Sequence, residues 1–134
     1  MSPRYSPSFR LLILALGLLA SVAPGWAATS PAVPRFVDLG ADKCIPCKMM
    51  VPVLAELTND YKGQLDVVFF DVWKDRAKGS EYGIRLIPTQ VFFDATGKEV
   101  YRHEGFISKA EVLAKWAELG VKLTPPPAAG DKKS

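Results

Sequence analysis

The feature that most constrains the fold is a short apolar strand that leads, through two cysteines, directly into an amphipathic helix. Residues 36–39 (FVDL) have the composition of a buried strand, and Gly40 bounds it. From Cys47 onward, apolar residues recur at spacings of four, three and four and mark the buried side of a helix that Gly63 ends: Met50, Leu54, Leu57 and Tyr61. The pair Cys44 and Cys47 therefore stands where a strand gives way to a helix.

The next segments predict a second strand and a short helix. Residues 65–72 (LDVVFFDV) form a continuous apolar run with β-branched and aromatic residues, which is typical of a strand covered on both faces. We therefore expect this strand to be central in the sheet. Residues 74–82 are polar and predict a short helix closed by Gly83.

A β-hairpin and a last helix complete the pattern. Residues 90–93 predict a strand, 94–97 a hairpin turn, and 99–104 a returning, partly exposed edge strand. Ser108 and Glu111 have the spacing of a capping box that begins a helix. The order strand, helix, strand, helix, strand, strand, helix predicts an α/β fold with a central mixed sheet flanked by helices.

The N-terminal residues 1–27 have the pattern of a signal peptide. Arg4 and Arg10 precede the apolar run LLILALGLLA, and small residues follow it, with cleavage expected after Ala27. The alternative is an uncleaved membrane anchor over residues 11–28, although its strongly apolar part is shorter than the roughly 20 residues that span a bilayer. We therefore expect a periplasmic or otherwise exported protein, with membrane anchoring as the alternative.

The remaining residues divide into a lead-in, one domain and a tail. Residues 28–35 are a Pro-broken lead-in, 36–123 form the domain, and 124–134 (TPPPAAGDKKS) are expected to be disordered. Removal of residues 1–27 takes away two basic groups and no acidic one, so the formal net charge falls from +3 to +1. Such a balance gives no electrostatic reason to expect nucleic acid as a partner.

Position gives the two cysteines different chemistry. A helix N-terminus presents unpaired N–H groups and a partial positive charge, which stabilise a thiolate at Cys44. Lys43 and Lys48 add positive charge nearby, and such surroundings lower the pKa of a thiol. We expect Cys44 to attack a substrate disulfide and Cys47, one turn inward, to resolve the mixed disulfide that results.

Two other interpretations of the cysteine pair stay open. A structural disulfide that closes so short a loop stabilises a fold by only roughly 2 kcal/mol, less than a disulfide that closes a longer loop. A metal site would need further ligands, yet the sequence has no other cysteine and only one histidine, His103. The residues alone therefore favour redox chemistry over both alternatives.

The stretch FVDLGADKCIPCKMMVPVLAEL, followed by YGIRLIPTQVFF, resembles thioredoxin over roughly residues 36–119. The resemblance implies a thioredoxin-like fold and a redox-active Cys44–Cys47 pair, with no metal and no cofactor besides that disulfide. It also implies that Asp38, six residues before Cys44, assists proton transfer at the resolving thiol. Pro88, after Ile87, matches the cis-proline of the family.

The same resemblance implies where substrate binds. The backbone of Ile87 beside Pro88 would dock the substrate chain, and Ile45 and Pro46, between the cysteines, would contact it. This sequence departs from the family at several nearby positions, which leaves the substrate surface and the redox poise open: Gly40 and Lys43 replace tryptophans, Ile45 a glycine and Phe69 a lysine. The family's N-terminal strand and helix also have no counterpart.

The absence of that strand, and the stretch VFFDATGKEVYRHEGF, make the chain similar to exported thioredoxin-like proteins and to the C-terminal periplasmic domain of the thiol-transfer protein DsbD. This similarity implies a monomeric thiol–disulfide oxidoreductase that acts on protein disulfides, as a reductant, with a membrane thiol-transfer protein as its electron donor. The alternative hypothesis is a non-catalytic binding module with the same fold, or a carrier of Cu(I) or thiols.

Overall fold

A four-stranded mixed sheet organises the part of the chain that the structure describes. The structure is a computed structural model and describes residues 32–127. In chain order the elements are β1 (Arg35–Gly40), α1 (Ile45–Asp60), β2 (Asp66–Asp71), α2 (Arg76–Glu81), β3 (Thr89–Phe93), β4 (Glu99–Glu104) and α3 (Lys109–Glu118). The strands lie in the order β2-β1-β3-β4, with β1 and β2 parallel and the other two pairs antiparallel. The predicted order of elements and the mixed sheet are confirmed.

One expectation about the sheet is wrong: β2 lies at its edge, and β1 is central because it pairs with both β2 and β3. The apolar run of β2 covers both faces of the strand, since Val67 packs into one core and Val68 and Phe70 into the other. Apolar side chains report what lies above and below a strand. They do not report which strands lie beside it in the plane of the sheet.

The alternation of side chains along β1 gives each face of the sheet its own core. Phe36 joins the larger core, on the side of α1 and α3, where it meets the Phe92 ring edge to face at a centroid distance of 4.9 Å. Trp116 of α3 is completely buried in the same core. Val37 and Leu39 join the smaller core on the opposite face. Asp38 therefore points to the face that α1 covers.

Local sequence signals set the ends of the helices. The capping box that begins α3 is confirmed, because Glu111 N–H donates to Ser108 Oγ and the Glu111 carboxylate accepts from Ser108 N–H. After α1, Gly63 adopts a φ of 78°, a conformation that favours glycine, and turns the chain toward β2. The apolar residues of α1 and α3 pack into the same core on one face of the sheet.

Several predictions fall on residues outside those described. The signal peptide 1–27, the alternative anchor over 11–28, the start of the 28–35 lead-in and residues 128–134 of the tail are among them. The backbone of Thr124 forms two hydrogen bonds with the side chain of Gln64. Within residues 32–127, no helix has both the length and the apolar character needed to cross a membrane.

Candidate active site

The first turn of α1 forms around the cysteine pair. Cys44 is the N-cap residue, with extended backbone angles, and Pro46 lies in the first turn, where a missing N–H costs no helical hydrogen bond. The backbone N–H of Cys47 donates to Cys44 Sγ over 3.3 Å. The helix thus directs a free N–H group at the sulfur of Cys44, which is the arrangement that stabilises negative charge on that atom.

The two cysteines form a disulfide but differ in exposure. Their Cα atoms are 5.1 Å apart, and their sequence separation is three residues. Cys44 is half-buried, whereas only 3% of Cys47 is exposed. A reactant from solvent can therefore reach the sulfur of Cys44 more readily than that of Cys47.

A loop from another part of the chain approaches Cys44. The carbonyl oxygen of Ile87 lies 4.0 Å from Cys44 Sγ, and the Ile87–Pro88 peptide bond is cis. The N–H of Gly105 donates to the carbonyl of Pro88 over 2.8 Å, which fixes the loop to the end of β4. Ile45, beside Cys44 in the chain, is 76% exposed. We call Cys44, Ile45, Pro46, Ile87 and Pro88 the entrance of the site.

Asp38 is a carboxyl group with no exposed surface. Its neighbours in the sheet register are Gln90 on β3 and Phe69 on β2. Gln90 Nε2 donates to Asp38 Oδ1 over 2.8 Å. Burial disfavours the charged form and raises the pKa of Asp38 from 3.8 to about 6, although the hydrogen bond from Gln90 opposes this rise.

Cys47 packs closely against Gly40, where a larger side chain would be crowded. A methyl group on Gly40 would lie 3.3 Å from Cys47 Sγ and 3.1 Å from Phe69 Cε2. Gly40 is two residues beyond Asp38 and faces the same side of the sheet. Cys47, which contacts Gly40, therefore lies beside the next position after Asp38 on that face. Cys47 and Phe69 also line a cavity of about 280 Å³. We call Asp38, Gly40, Cys47 and Gln90 the buried end of the site; Phe69, which is 44% exposed, lies at its edge.

The loop before Cys44 is held in place by Asp71 at the end of β2. The carboxylate of Asp71 accepts hydrogen bonds from the N–H groups of Asp42, Trp73 and Lys74. Burial would raise the pKa of Asp71, but these N–H groups outweigh it and hold the pKa below its usual range. The side chain of Lys74 also pairs with Asp42 and Asp71. This cluster ties the β1–α1 loop to the β2–α2 loop.

The structure brings every residue of the predicted site to one end of the sheet. Cys44 and Cys47 form the disulfide, and Ile87 approaches its Cys44 sulfur. Asp38 lies on the face of the sheet that α1 covers. Sequence reasoning missed Gln90 and Asp71. A signal existed for Gln90, because it is a long polar side chain directly before the apolar residues Val91, Phe92 and Phe93 of the same strand. No group of three or more potential ligands in residues 32–127 could hold a metal ion.

Comparisons with known proteins agree with this geometry. The profile of the thioredoxin family matches residues 28–118. Thioredoxins of Staphylococcus epidermidis and Staphylococcus aureus are 40% identical to the chain over 84 residues, which cover 60% of this chain and 80% of theirs. The crystal structure of chloroplastic thioredoxin z superposes with a TM-score of 0.62 at 26% identity, and the match covers 69% of this chain and 83% of that one.

The predicted family and fold are therefore confirmed. The CxxC pair at the start of α1 and the thioredoxin relatives together support thiol–disulfide exchange. Membership also implies protein thiols and disulfides as substrates. The chain belongs to the thioredoxin family and is a thiol–disulfide oxidoreductase.

Proposed function

We propose that the chain is an exported reductant of protein disulfides, in which Cys44 attacks the substrate and Cys47 releases it. The observation that carries this proposal is the position of Cys44 Sγ, at the N-cap of α1 and 4.0 Å from the carbonyl oxygen of Ile87. An attacking sulfur needs a stabilised thiolate and a place to hold the substrate chain. The N-terminus of α1 supplies the first, and the Ile87–Pro88 backbone supplies the second.

In the first step the thiolate of reduced Cys44 attacks one sulfur of a substrate disulfide. A new S–S bond joins Cys44 to the substrate, the substrate disulfide breaks, and its second sulfur leaves as a thiolate that takes up a proton. The exposed side chain of Ile45, with Pro46 beside it, provides apolar surface for the substrate near the reacting sulfur.

In the second step Cys47 resolves the mixed disulfide. Asp38 accepts the proton of the Cys47 thiol, and the resulting thiolate attacks Cys44 Sγ. The Cys44–Cys47 disulfide forms, the second substrate sulfur leaves as a thiolate that takes up a proton from solvent, and two electrons have passed to the substrate. A carboxyl group with a pKa of about 6 suits this task, because it is mostly ionised at pH 7 yet still basic enough to take up a proton.

The compartment and the electron donor rest on the N-terminal residues and on the resemblance. The signal-peptide pattern of residues 1–27 supports export, where disulfide substrates persist. The similarity to exported thioredoxin-like proteins supports reductive action as a monomer, with electrons from a membrane thiol-transfer protein. The disulfide is the sole redox group in this proposal, and no added cofactor is invoked.

The direction of electron flow is tested by the reduction potential of the Cys44–Cys47 pair. Equilibration with a series of glutathione buffers, with the two states separated after alkylation, measures it. We expect a value nearer to the roughly −270 mV of thioredoxin than to the roughly −120 mV of the oxidant DsbA. A value near the oxidant end would contradict the reductive proposal and leave the exchange chemistry intact.

Export and substrate capture need separate experiments. The intact mass of protein recovered outside the cytoplasm should match residues 28–134, whereas full-length chain in the membrane fraction would support the anchor. For capture, the reduced Cys47→Ser variant is mixed with a small disulfide-bonded protein, and Cys44→Ser/Cys47→Ser is the control. A mixed disulfide at Cys44 is expected; its absence would favour the binding module or carrier.

A further inference from the structure

We propose that Gln90 is a positioning residue for proton transfer: it holds Asp38 by one carboxyl oxygen and leaves the other free to exchange a proton with Cys47. This inference deepens the proposed function, because it rests on the role given there to Asp38. Gln90 lies two residues after Pro88 in the stretch by which the chain resembles its family, but the resemblance gives it no role.

The first observation is the hydrogen bond itself. Asp38 and Gln90 are register partners on β1 and β3, and both side chains are completely buried. Gln90 Nε2 donates to Asp38 Oδ1 over 2.8 Å. Because the two residues stand on adjacent strands of the sheet, the amide is held opposite the carboxyl by the backbone and not by a flexible loop.

The second observation is what the bond leaves unpaired. Asp38 Oδ2 and Gln90 Oε1 are buried acceptors, and neither has a hydrogen-bond partner among the described residues. A buried polar atom without a partner is unfavourable, and such atoms call for an explanation. A proton taken up on Asp38 Oδ2 would turn this unpaired acceptor into a donor. Oδ2 is therefore the carboxyl oxygen that Gln90 leaves free to exchange a proton.

The third observation is that the Asp38 side chain has no other hydrogen-bond or ion-pair partner among the described residues. The register neighbour of Asp38 on β2 is Phe69, and that of Gln90 on β4 is His103. The ring of His103 is hydrogen-bonded to the carbonyl of Phe106 at 3.1 Å. From α1, Cys47 and Lys48 line a cavity together with Phe69. Gln90 is therefore the sole hydrogen-bond donor to the Asp38 side chain among the bonds of the described residues.

The direction of the effect follows from the chemistry of the bond. An N–H group that donates to a carboxylate favours the charged form, because a hydrogen bond to an ion is stronger than one to a neutral acid. Gln90 thus lowers the pKa of Asp38 against the effect of burial, which keeps Asp38 ionised at pH 7 and available as a base. Without Gln90 the carboxyl would hold its proton to higher pH.

The experiment compares Gln90→Met with wild type and with Val91→Ala. Methionine keeps the length and the burial but removes the donor, whereas Val91 faces the other core and its truncation costs packing alone. The ¹³Cγ resonance of Asp38 is titrated in the oxidised proteins. We expect its midpoint near 6 in wild type and Val91→Ala, and higher by about one pH unit or more in Gln90→Met.

A kinetic measurement shows whether the shift reaches the reaction. The rate at which Cys47 resolves a preformed Cys44 mixed disulfide is followed against pH. The acid limb of this profile should move in Gln90→Met by the same amount as the NMR midpoint. A purely structural role would lower the rate equally at all pH values, and that result would overturn the proposal.

Two further outcomes are decisive. If the Asp38 midpoint in Gln90→Met stays within about 0.3 pH units of wild type, Gln90 does not control Asp38 and the proposal fails. If Gln90→Met does not fold, the test is made on the wild-type protein. The side-chain amide resonances of Gln90 must then titrate with the same midpoint as the ¹³Cγ resonance of Asp38. These titrations need no substrate, so a protein that reduces no disulfide would refute the proposed function without deciding the role of Gln90.

Discussion

The two sulfurs of one disulfide lie in opposite surroundings. Cys44 is half-buried at the entrance, with the N–H of Cys47 directed at its sulfur and the Ile87 carbonyl beside it. Cys47 is 3% exposed and packs at the buried end, against the backbone of Gly40. The first sulfur is thus the more accessible to solvent, and in the proposed function a buried carboxyl acts on the second.

In the proposed function, one turn of helix separates two chemical tasks. Attack requires a sulfur that is accessible and already ionised, and a helix N-terminus provides ionisation without a base. Resolution requires a sulfur that stays protected until the mixed disulfide forms, and such a thiol needs a base beside it. The sequence spacing of three residues places one sulfur in each environment.

The largest expected effect is on Cys44. Cys44→Ser should reduce the turnover of a protein disulfide to the uncatalysed rate, because the buried Cys47 cannot reach the substrate. Cys47→Ser should still complete one attack. Stopped-flow or quenched assays of mixed-disulfide formation measure both. Comparable attack rates for the two variants would mean that the two ends of the site do not differ as described.

The next largest effect is expected at the base. Asp38→Asn removes the proposed base for the Cys47 thiol but keeps the size of the side chain. Resolution of a Cys44 mixed disulfide at pH 7 should slow by about 100-fold, the lower range for loss of a general base. The initial attack by Cys44 should change little. Equal slowing of both steps would contradict the division of labour between the two ends.

The same carboxyl should also make stability depend on pH. Because burial raises the pKa of Asp38 from 3.8 to about 6, the folded state binds this proton more tightly than the unfolded chain does. Stability from this group is thus full below the unfolded pKa and falls by about 3 kcal/mol as the pH rises through the folded one.

Denaturant unfolding of the oxidised protein at pH 4 and pH 8 checks this. Other carboxyl groups also titrate, so the quantity of interest is the difference between wild type and Asp38→Asn. Relative to wild type, Asp38→Asn should be more stable at pH 8 than at pH 4. A difference that does not change with pH would show that the pKa of Asp38 is not raised by burial.

The smallest effect concerns the packing around Cys47. Gly40→Ala would place a methyl group 3.2 Å from Cys47 Cβ and should destabilise the protein by about 1–3 kcal/mol, as overpacking does. Gly79→Ala is the matched control, because its methyl group has no neighbour nearer than 3.8 Å and it lies in α2. Thermal unfolding of both variants measures the contrast, and equal effects would contradict close packing at the buried end.

Much of the fold was predictable because its elements depend on residues that are close together in the chain. The helical spacing after Cys47, the capping box of Ser108 and Glu111, and the turn at 94–97 each depend on residues close together in the chain. The edge position of β2 was not predictable in this way, since its apolar side chains report only the layers above and below. Strand order depends on pairings between distant segments.

In the candidate site, too, residues of short motifs could be predicted and contacts between distant segments could not. Cys44, Cys47 and Pro88 belong to short motifs, so their positions could be anticipated. The partner of Asp38 could not, because Gln90 is 52 residues away and meets it only through the pairing of β1 with β3. Likewise, the hold of Asp71 on the loop before Cys44 depends on where β2 ends beside β1.

The central claim, that the two sulfurs have different roles because of where they lie, is tested most directly by competitive alkylation. The reduced protein is treated at pH 7 with a limiting amount of iodoacetamide, and mass spectrometry of its peptides gives the fraction modified at each cysteine. We predict that Cys44 is modified first and Cys47 only after a long delay. Equal modification, or faster modification of Cys47, would contradict the account.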